Sequence, residues 1–191
     1  EDAGIQIYRT RQVDSQDIYI GTIKDTKIEC FNGASGMFVH ETTIHNILNT
    51  NIHTNINTSS HNRNSHGIYH FHSYIDVVDN VNIQVDGNIG TGIYAVALTS
   101  DDYSIGMIKN STMEGYAAGI NNAGHIKGIE NSSFKSRSTS TSITTSGRSA
   151  AILALSGGIG YIRDSIVNSA SHGLLVTSGV TIGDIEKTNI Q

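Results

Sequence analysis

Apolar residues recur along this chain in short bursts separated by Gly, Asn, Asp, Ser and Thr, and the bursts repeat one another. Residues 105–113 read IGMIKNSTM, and near-copies stand elsewhere as IGTIKDTKI, IKGIENSSF and IGDIEKTNI. Aligned on its first Ile, the nonapeptide starts at Ile20, Ile44, Ile75, Ile105, Ile126, Ile159 and Ile182, at spacings of 24, 31, 30, 21, 33 and 23 residues. Its fourth position is Ile23, Ile47, Val78, Ile108, Ile129, Ile162 and Ile185, always aliphatic and β-branched. Its ninth is Ile28, Ile52, Ile83, Met113, Phe134, Val167 and Ile190, always apolar. The sixth is Asn or Asp except at Lys187, and the seventh carries a hydroxyl except at Val81. A weaker signature, a small residue then an apolar one, precedes each later copy: Gly36-Met37, Gly67-Ile68, Gly92-Ile93, Gly119-Ile120, Ala151-Ile152 and Gly173-Leu174.

A helical repeat needs apolar residues at i, i+3, i+4 and i+7 over ten or more residues. Here Gly and Asn or Asp interrupt every copy and β-branched residues fill the rest, which disfavours helix and favours short strands joined by polar turns. A period of 21 to 33 residues fits one turn of a parallel β-helix. The expectation is therefore an all-β fold, a parallel β-helix (β-solenoid) of about seven coils with irregular projecting loops, each coil made of two or three strands. Coils stack about 4.8 Å apart, so the rod is about 35 Å long. In such a stack the Ile columns fill the interior. The Asn/Asp column forms a ladder at a turn, because these side chains tolerate left-handed φ and stacked amides bond from coil to coil. The glycines at the second position (Gly21, Gly106, Gly160, Gly183) are expected to relieve a tight bend. The longest variable stretches, 53–66 and 135–149, are expected to project as loops.

The chain has 191 residues, 37% of them hydrophobic and 15% charged, with no Pro and one Cys. We expect one solenoid domain over 1–191, with recognisable coils at 20–190, cut from a longer protein. Both ends break off in repeat register, and an uncapped strand edge calls for more chain, a cap or a partner. The net charge of −5 argues against a nucleic-acid partner, which needs a basic face, and against docking to anionic membranes. No apolar run approaches the ~20 residues that cross a bilayer, so no membrane insertion of this segment is expected. The single Cys30 excludes an internal disulfide and any multi-cysteine metal knuckle.

Candidate chemistry is sparse. The stretch HNRNSHGIYHFHSY holds His61, His66, His70 and His72. Strand residues two apart share a face, so His70 and His72 offer two imidazoles to a metal, with His66 as the third candidate ligand. The plainer reading is polar decoration running into a strand, and alignment of His70 with Val39 and Ala95 points it inward. The stretch TSDDYS places Asp101 and Asp102 in an enlarged connection, the one candidate pair for acid–base catalysis. Adjacent Asp residues in a polar loop are more often simply solvated. Residues 132–149 form a low-complexity stretch whose Lys135, Arg137 and Arg148 give local positive charge suited to an acidic glycan. No phosphate loop, dinucleotide fingerprint or Ser-His-Asp order is visible, and no cofactor is expected.

The best nonapeptides, IGMIKNSTM, IKGIENSSF and IGYIRDSIV, resemble the repeats of bacterial autotransporter passengers and related surface adhesins, and the resemblance runs over residues 20–190. It implies a right-handed parallel β-helix of the pectin-lyase-like kind, exported to the bacterial surface or secreted. The pectin-degrading hydrolases resemble this chain in architecture, but their Asn-Thr-Asp, Gly-His-Gly and Arg-Ile-Lys stretches are absent. The expected function is a non-catalytic adhesin or structural stalk that binds a host surface, a glycan or a neighbouring copy of itself. The alternative is a polysaccharide lyase, a glycoside hydrolase or a phage tailspike.

Overall fold

The computed structural model describes residues 3–8, 18–31, 34–55, 65–86, 89–97, 103–139 and 149–191. Among these residues the structure is all-β, without a helix. The early strands are β1 Ala3–Tyr8, β2 Ile18–Lys24, β3 Lys27–Phe31, β4 Ser35–His40, β5 Thr42–Leu48, β6 Asn51–Asn55, β7 His66–Phe71, β8 Tyr74–Asp79 and β9 Asn82–Asp86. There follow β10 Thr91–Val96, β11 Tyr103–Lys109, β12 Thr112–Gly115, β13 Ala118–Glu130, β14 Ser133–Ser136 and β15 Ala150–Arg163. The last are β16 Ile166–Ser169, β17 Leu174–Val176, β18 Thr181–Glu186 and β19 Asn189–Ile190. Strands β6 and β14 take up Asn51–Asn55 and Ser133–Ser136, so parts of both stretches expected to be loops are sheet. Residues 56–64 and 140–148 lie outside the described residues.

Every pairing among the described strands is parallel, and the pairings link each strand to its counterpart in the next repeat. β4 pairs with β7 (Met37↔Ile68), β5 with β8 (Ile44↔Ile75) and β6 with β9 (Ile52↔Ile83). These repeats thus each contribute three short strands, and the nonapeptide spans the second and third. The register places like on like. The first Ile column runs Ile20, Ile44, Ile75, Ile105, Ile126, Ile159, Ile182, and the fourth runs Ile23, Ile47, Val78, Ile108, Ile129, Ile162, Ile185. The ninth runs Ile28, Ile52, Ile83, Met113, Phe134, Val167, Ile190 in the facing sheet. The middle members of all three columns are buried and form one continuous core. At the last rung Ile185 and Ile190 are 43% and 41% exposed, because no described strand lies beyond them.

The sixth position makes the bend between the second and third strands. Asp25, Asn49, Asn80, Asn110, Asn131, Asp164 and Lys187 all adopt left-handed φ, between 45° and 53°. Asn and Asp enter that region more readily than other residues with a Cβ, which accounts for the column's composition; Lys187 holds the same angle without that preference. The amides form the expected ladder: Asn49 Nδ2 donates to Asp25 Oδ1 (3.0 Å), Asn80 to Asn49 (2.9 Å) and Asn131 to Asn110 (2.7 Å). The ladder is interrupted where Asn110 turns to Asp79 Oδ1 (2.8 Å) rather than to Asn80, and it ends at Asn131, because Asp164 has no side-chain amide to donate to it. The hydroxyl that follows locks the same bend. Ser111, Ser132 and Ser165 each donate to the carbonyl two residues back at 2.7 Å. Each also accepts an amide N–H from the preceding rung, from Val81, Ser111 and Ser132. The bend is therefore held within the rung and between rungs by one oxygen.

The weaker signature marks the first strand of each repeat, and its glycines are there for close approach. A Cβ on Gly67 would land on Ile83 Cγ2 and 2.7 Å from Gly92 O. A further copy, Gly4-Ile5, opens the stack: Ile5 pairs with Met37 in β1–β4. It stands farther from its nonapeptide than any later copy, which hid it in the sequence. The second-position glycines do not make bends. They lie within β2, β11, β15 and β18, and a Cβ on Gly106 would press on the Asp76 backbone and Tyr74 OH.

Strands β13 and β15, 13 and 14 residues long, merge the first and second strands of their repeats, although Gly157, paired with Gly124 just past a register shift, takes left-handed φ (70°) within β15. They join both faces into one 12-stranded sheet opposite a 7-stranded one. Earlier repeats turn between those strands at Glu41 (φ 49°) and His72 (φ 50°).

Candidate functional site

Side chains alternate across a strand, so an in-register parallel stack delivers its outward groups as columns. One outward face, on the third strands, is polar and charged: Glu29, His53, Gln84, Glu114 and Lys135 follow one another from rung to rung. Beside them Asp86 accepts from His53 Nε2 and from Arg137, each at 2.8 Å, and from Gln84 Nε2 at 3.3 Å. Arg137 also donates to Val85 O (2.7 Å) and pairs with Glu114 (3.2 Å), which Lys135 reaches at 3.4 Å. Burial alone would push the Asp86 carboxyl up, but the hydrogen bonds from His53, Gln84 and Arg137 outweigh it and hold the group below the usual carboxylate range. Each such exposed pair contributes about 0–1 kcal/mol, so the network fixes side-chain positions more than it stabilises the fold. A carboxylate kept ionised by cationic neighbours is a poor general acid. The arrangement suits recognition of polar groups.

A second outward face lies on the first strands. Phe38, Tyr69 and Tyr94 follow one another in register, with ring centroids 5.3 Å apart at each step. Alongside runs the column Tyr8, His40, Phe71 and Val96. Tyr8 is 52% exposed, and the other aromatic members of these columns are half-buried.

No protein-family model, curated protein or solved structure matches this chain.

The residues singled out from the sequence fall into different settings. Asp101, Asp102, His61 and Arg148 lie outside the described residues. His70 is fully buried, stacked between Val39 and Ala95 as its alignment suggests. Neither of its ring nitrogens has a well-formed hydrogen bond among the described residues. His66 is buried at the start of β7, its ring 4.8 Å from that of Tyr94 and nearly parallel to it. Burial pulls both imidazoles down to about 4, so both are neutral near pH 7. His72 sits at the turn after β7, half-buried. The groups that converge with it are His40 and Glu41, all three offering ligand atoms within 4.8 Å of one another.

Sequence reasoning missed His40 and Glu41, although a signal existed. At the sixth and seventh positions a left-handed residue is followed by Ser or Thr, and Glu41-Thr42 and His72-Ser73 repeat that grammar at a second bend. Thr42 Oγ1 donates to His40 O (2.9 Å), Ser73 Oγ to Phe71 O (3.0 Å), and Thr42 N–H donates to Ser73 Oγ (3.3 Å). The same hydroxyl device therefore marks both turns.

Proposed function

We propose that this chain is a segment of a right-handed parallel β-helix of about seven coils, exported to the bacterial surface or secreted. It serves there as a non-catalytic adhesin or stalk that binds a host surface, a glycan or a neighbouring copy. The observation that carries the reading is the parallel stack of equivalent positions from rung to rung, kept in the core columns through local register shifts at Tyr103/Ile105 and Asn122/Ala123. It converts outward side chains into long columns of aromatic and polar groups, a wall suited to an extended ligand. The engagement of Asp86 and Glu114 by His53, Arg137 and Lys135 favours binding through this wall over acid catalysis on it. The resemblance of the nonapeptides to autotransporter passenger repeats supports export. A solenoid also lengthens by adding coils without redesign of its core, which suits a stalk.

The test incubates the purified chain with immobilised neutral and acidic polysaccharides and with host cells, and follows retention together with reducing ends and the absorbance of unsaturated sugars. Retention without cleavage is expected. It should weaken with salt if the charged face is the contact, because exposed charges are screened within about 10 Å at 0.1 M. Release of reducing ends or unsaturated products would replace this reading with a polysaccharide-degrading enzyme.

A further inference from the structure

We propose that His40, Glu41 and His72 form a binding site for a divalent transition-metal ion of the zinc type. The reading goes beyond the binding wall: His40 and Phe71 belong to its aromatic columns, but the site is assembled at the bend between the first and second strands.

The backbone brings the three together. Glu41 and His72 occupy equivalent places on successive rungs, both with left-handed φ near 50°. Glu41 N–H donates to Phe71 O at 3.2 Å and His72 N–H donates to Val96 O at 2.7 Å, so each bend is bonded to the next rung. His40, the last residue of β4, pairs with Phe71. The ligand atoms already lie within 4.8 Å of one another, and His40 Nε2 is 3.7 Å from Glu41 Oε1. A tetrahedral ion with bonds of about 2.0–2.1 Å holds its ligand atoms about 3.3 Å apart. Side-chain rotations of about 1 Å close that gap, with no movement of the bonded turns.

The surroundings favour those rotamers. The Phe71 ring stacks against the His72 imidazole with centroids 3.8 Å apart and against the His40 imidazole at 5.4 Å. One aromatic plate therefore backs both imidazoles. The His40 and Glu41 side chains are 30% and 33% exposed, which leaves an ion room for a fourth ligand from water or a bound molecule. Two imidazoles and one carboxylate match zinc and its neighbours, whereas calcium and magnesium take oxygen ligands almost exclusively. The site is confined to these two rungs. The residue equivalent to His72 on the next rung is Ala97, whose N–H continues the backbone ladder to Ala123 O (2.9 Å) and whose side chain offers no ligand.

The test is calorimetric titration of the metal-stripped chain with Zn²⁺, together with the visible absorbance of bound Co²⁺, which reports tetrahedral geometry. One ion per chain is expected at this site. His40→Gln and Glu41→Gln should each weaken binding by at least about tenfold, the scale on which loss of metal-site partners acts. His72→Asn should do the same while keeping a residue that tolerates the left-handed turn, so its loss of metal is separable from loss of fold. Phe71→Ala should weaken binding by a smaller factor and leave the stoichiometry unchanged. His45→Ala, an exposed histidine elsewhere on β5, should change nothing. Melting curves without metal confirm that each variant is folded. Affinity unchanged in both His40→Gln and His72→Asn, or no Zn²⁺ uptake by the folded wild type at micromolar concentrations, would overturn the proposal.

Discussion

Replacing Ser132 with Val puts a methyl group in place of the hydroxyl and adds a second, and comparison with the equal-volume Ser132→Thr isolates the hydroxyl's part in holding the turns. Ser132 is 4% exposed. Its Oγ donates to Glu130 O at 2.7 Å and accepts the N–H of Ser111, one rung away, at 3.2 Å. Val removes both bonds and leaves the Ser111 amide without this acceptor. A hydrogen bond contributes about 1 kcal/mol net, and a buried donor stranded by mutation costs about 1–3 kcal/mol. A loss of about 2 kcal/mol is therefore expected. For a domain of this size each kcal/mol moves Tm by about 2–4 °C, so Ser132→Val should melt about 4–8 °C below wild type by calorimetry or circular dichroism. Ser132→Thr should melt close to wild type, since Thr fills the same column at Thr26, Thr50 and Thr188 and bonds its carbonyl there at 2.8–2.9 Å. The reverse change is available in the same chain. Val81 is the one member of the column without a hydroxyl, and Val81→Thr should gain up to about 1 kcal/mol by supplying the missing bonds. If Ser132→Val melts with the wild type, or Ser132→Thr falls as far as Ser132→Val, the hydroxyl ladder contributes nothing and the account of the turns is wrong.

Ile129→Asp puts an unpaired carboxylate among fully buried Ile side chains and should cost several kcal/mol, whereas Ile166→Asp, at a position 50% exposed, should stay within about 0.5 kcal/mol; equal melting points would contradict the inside–outside assignment. Gly67→Val drives a side chain into Ile83 and the Gly92 carbonyl and should cost about 1–3 kcal/mol as an overpacked contact, read as a lowered urea midpoint. The neutral, buried His66 and His70 bind protons more readily in the unfolded chain than in the folded one. Their stabilisation is thus complete above the ordinary value of 6.5 and is lost as pH falls from there towards about 4. His70→Leu should flatten that part of the stability–pH curve, and an unchanged slope would show that His70 does not titrate as its burial requires.

Much of this architecture is legible without coordinates, for a physical reason. In a stacked parallel fold each residue's nearest neighbours are its counterparts one period away, so packing constraints print themselves as columns. The Ile columns announce the interior, and the Asn/Asp column followed by Ser or Thr announces a left-handed bend with a hydroxyl lock. The columns could not announce how the second bend works, because among the described residues a left-handed residue followed by a hydroxyl makes it only at Glu41-Thr42 and His72-Ser73, and in later rungs it is absorbed within the continuous strands β13 and β15. Nor could they show that the second-position glycines lie within strands.

The histidines separate the two kinds of knowledge most clearly. Spacing alone put His70 and His72 two apart and so on one face, which holds only while a strand stays extended. The left-handed turn at His72 breaks that alternation: His70 stays in the core and His72 swings to the edge beside His40 and Glu41. The sequence by itself determined the period, the strands and the residues that face inward, because those follow from local preference and repetition. Only the tertiary structure decided which polar groups meet, because contacts between rungs depend on where each bend falls and on how far the outward side chains reach across it.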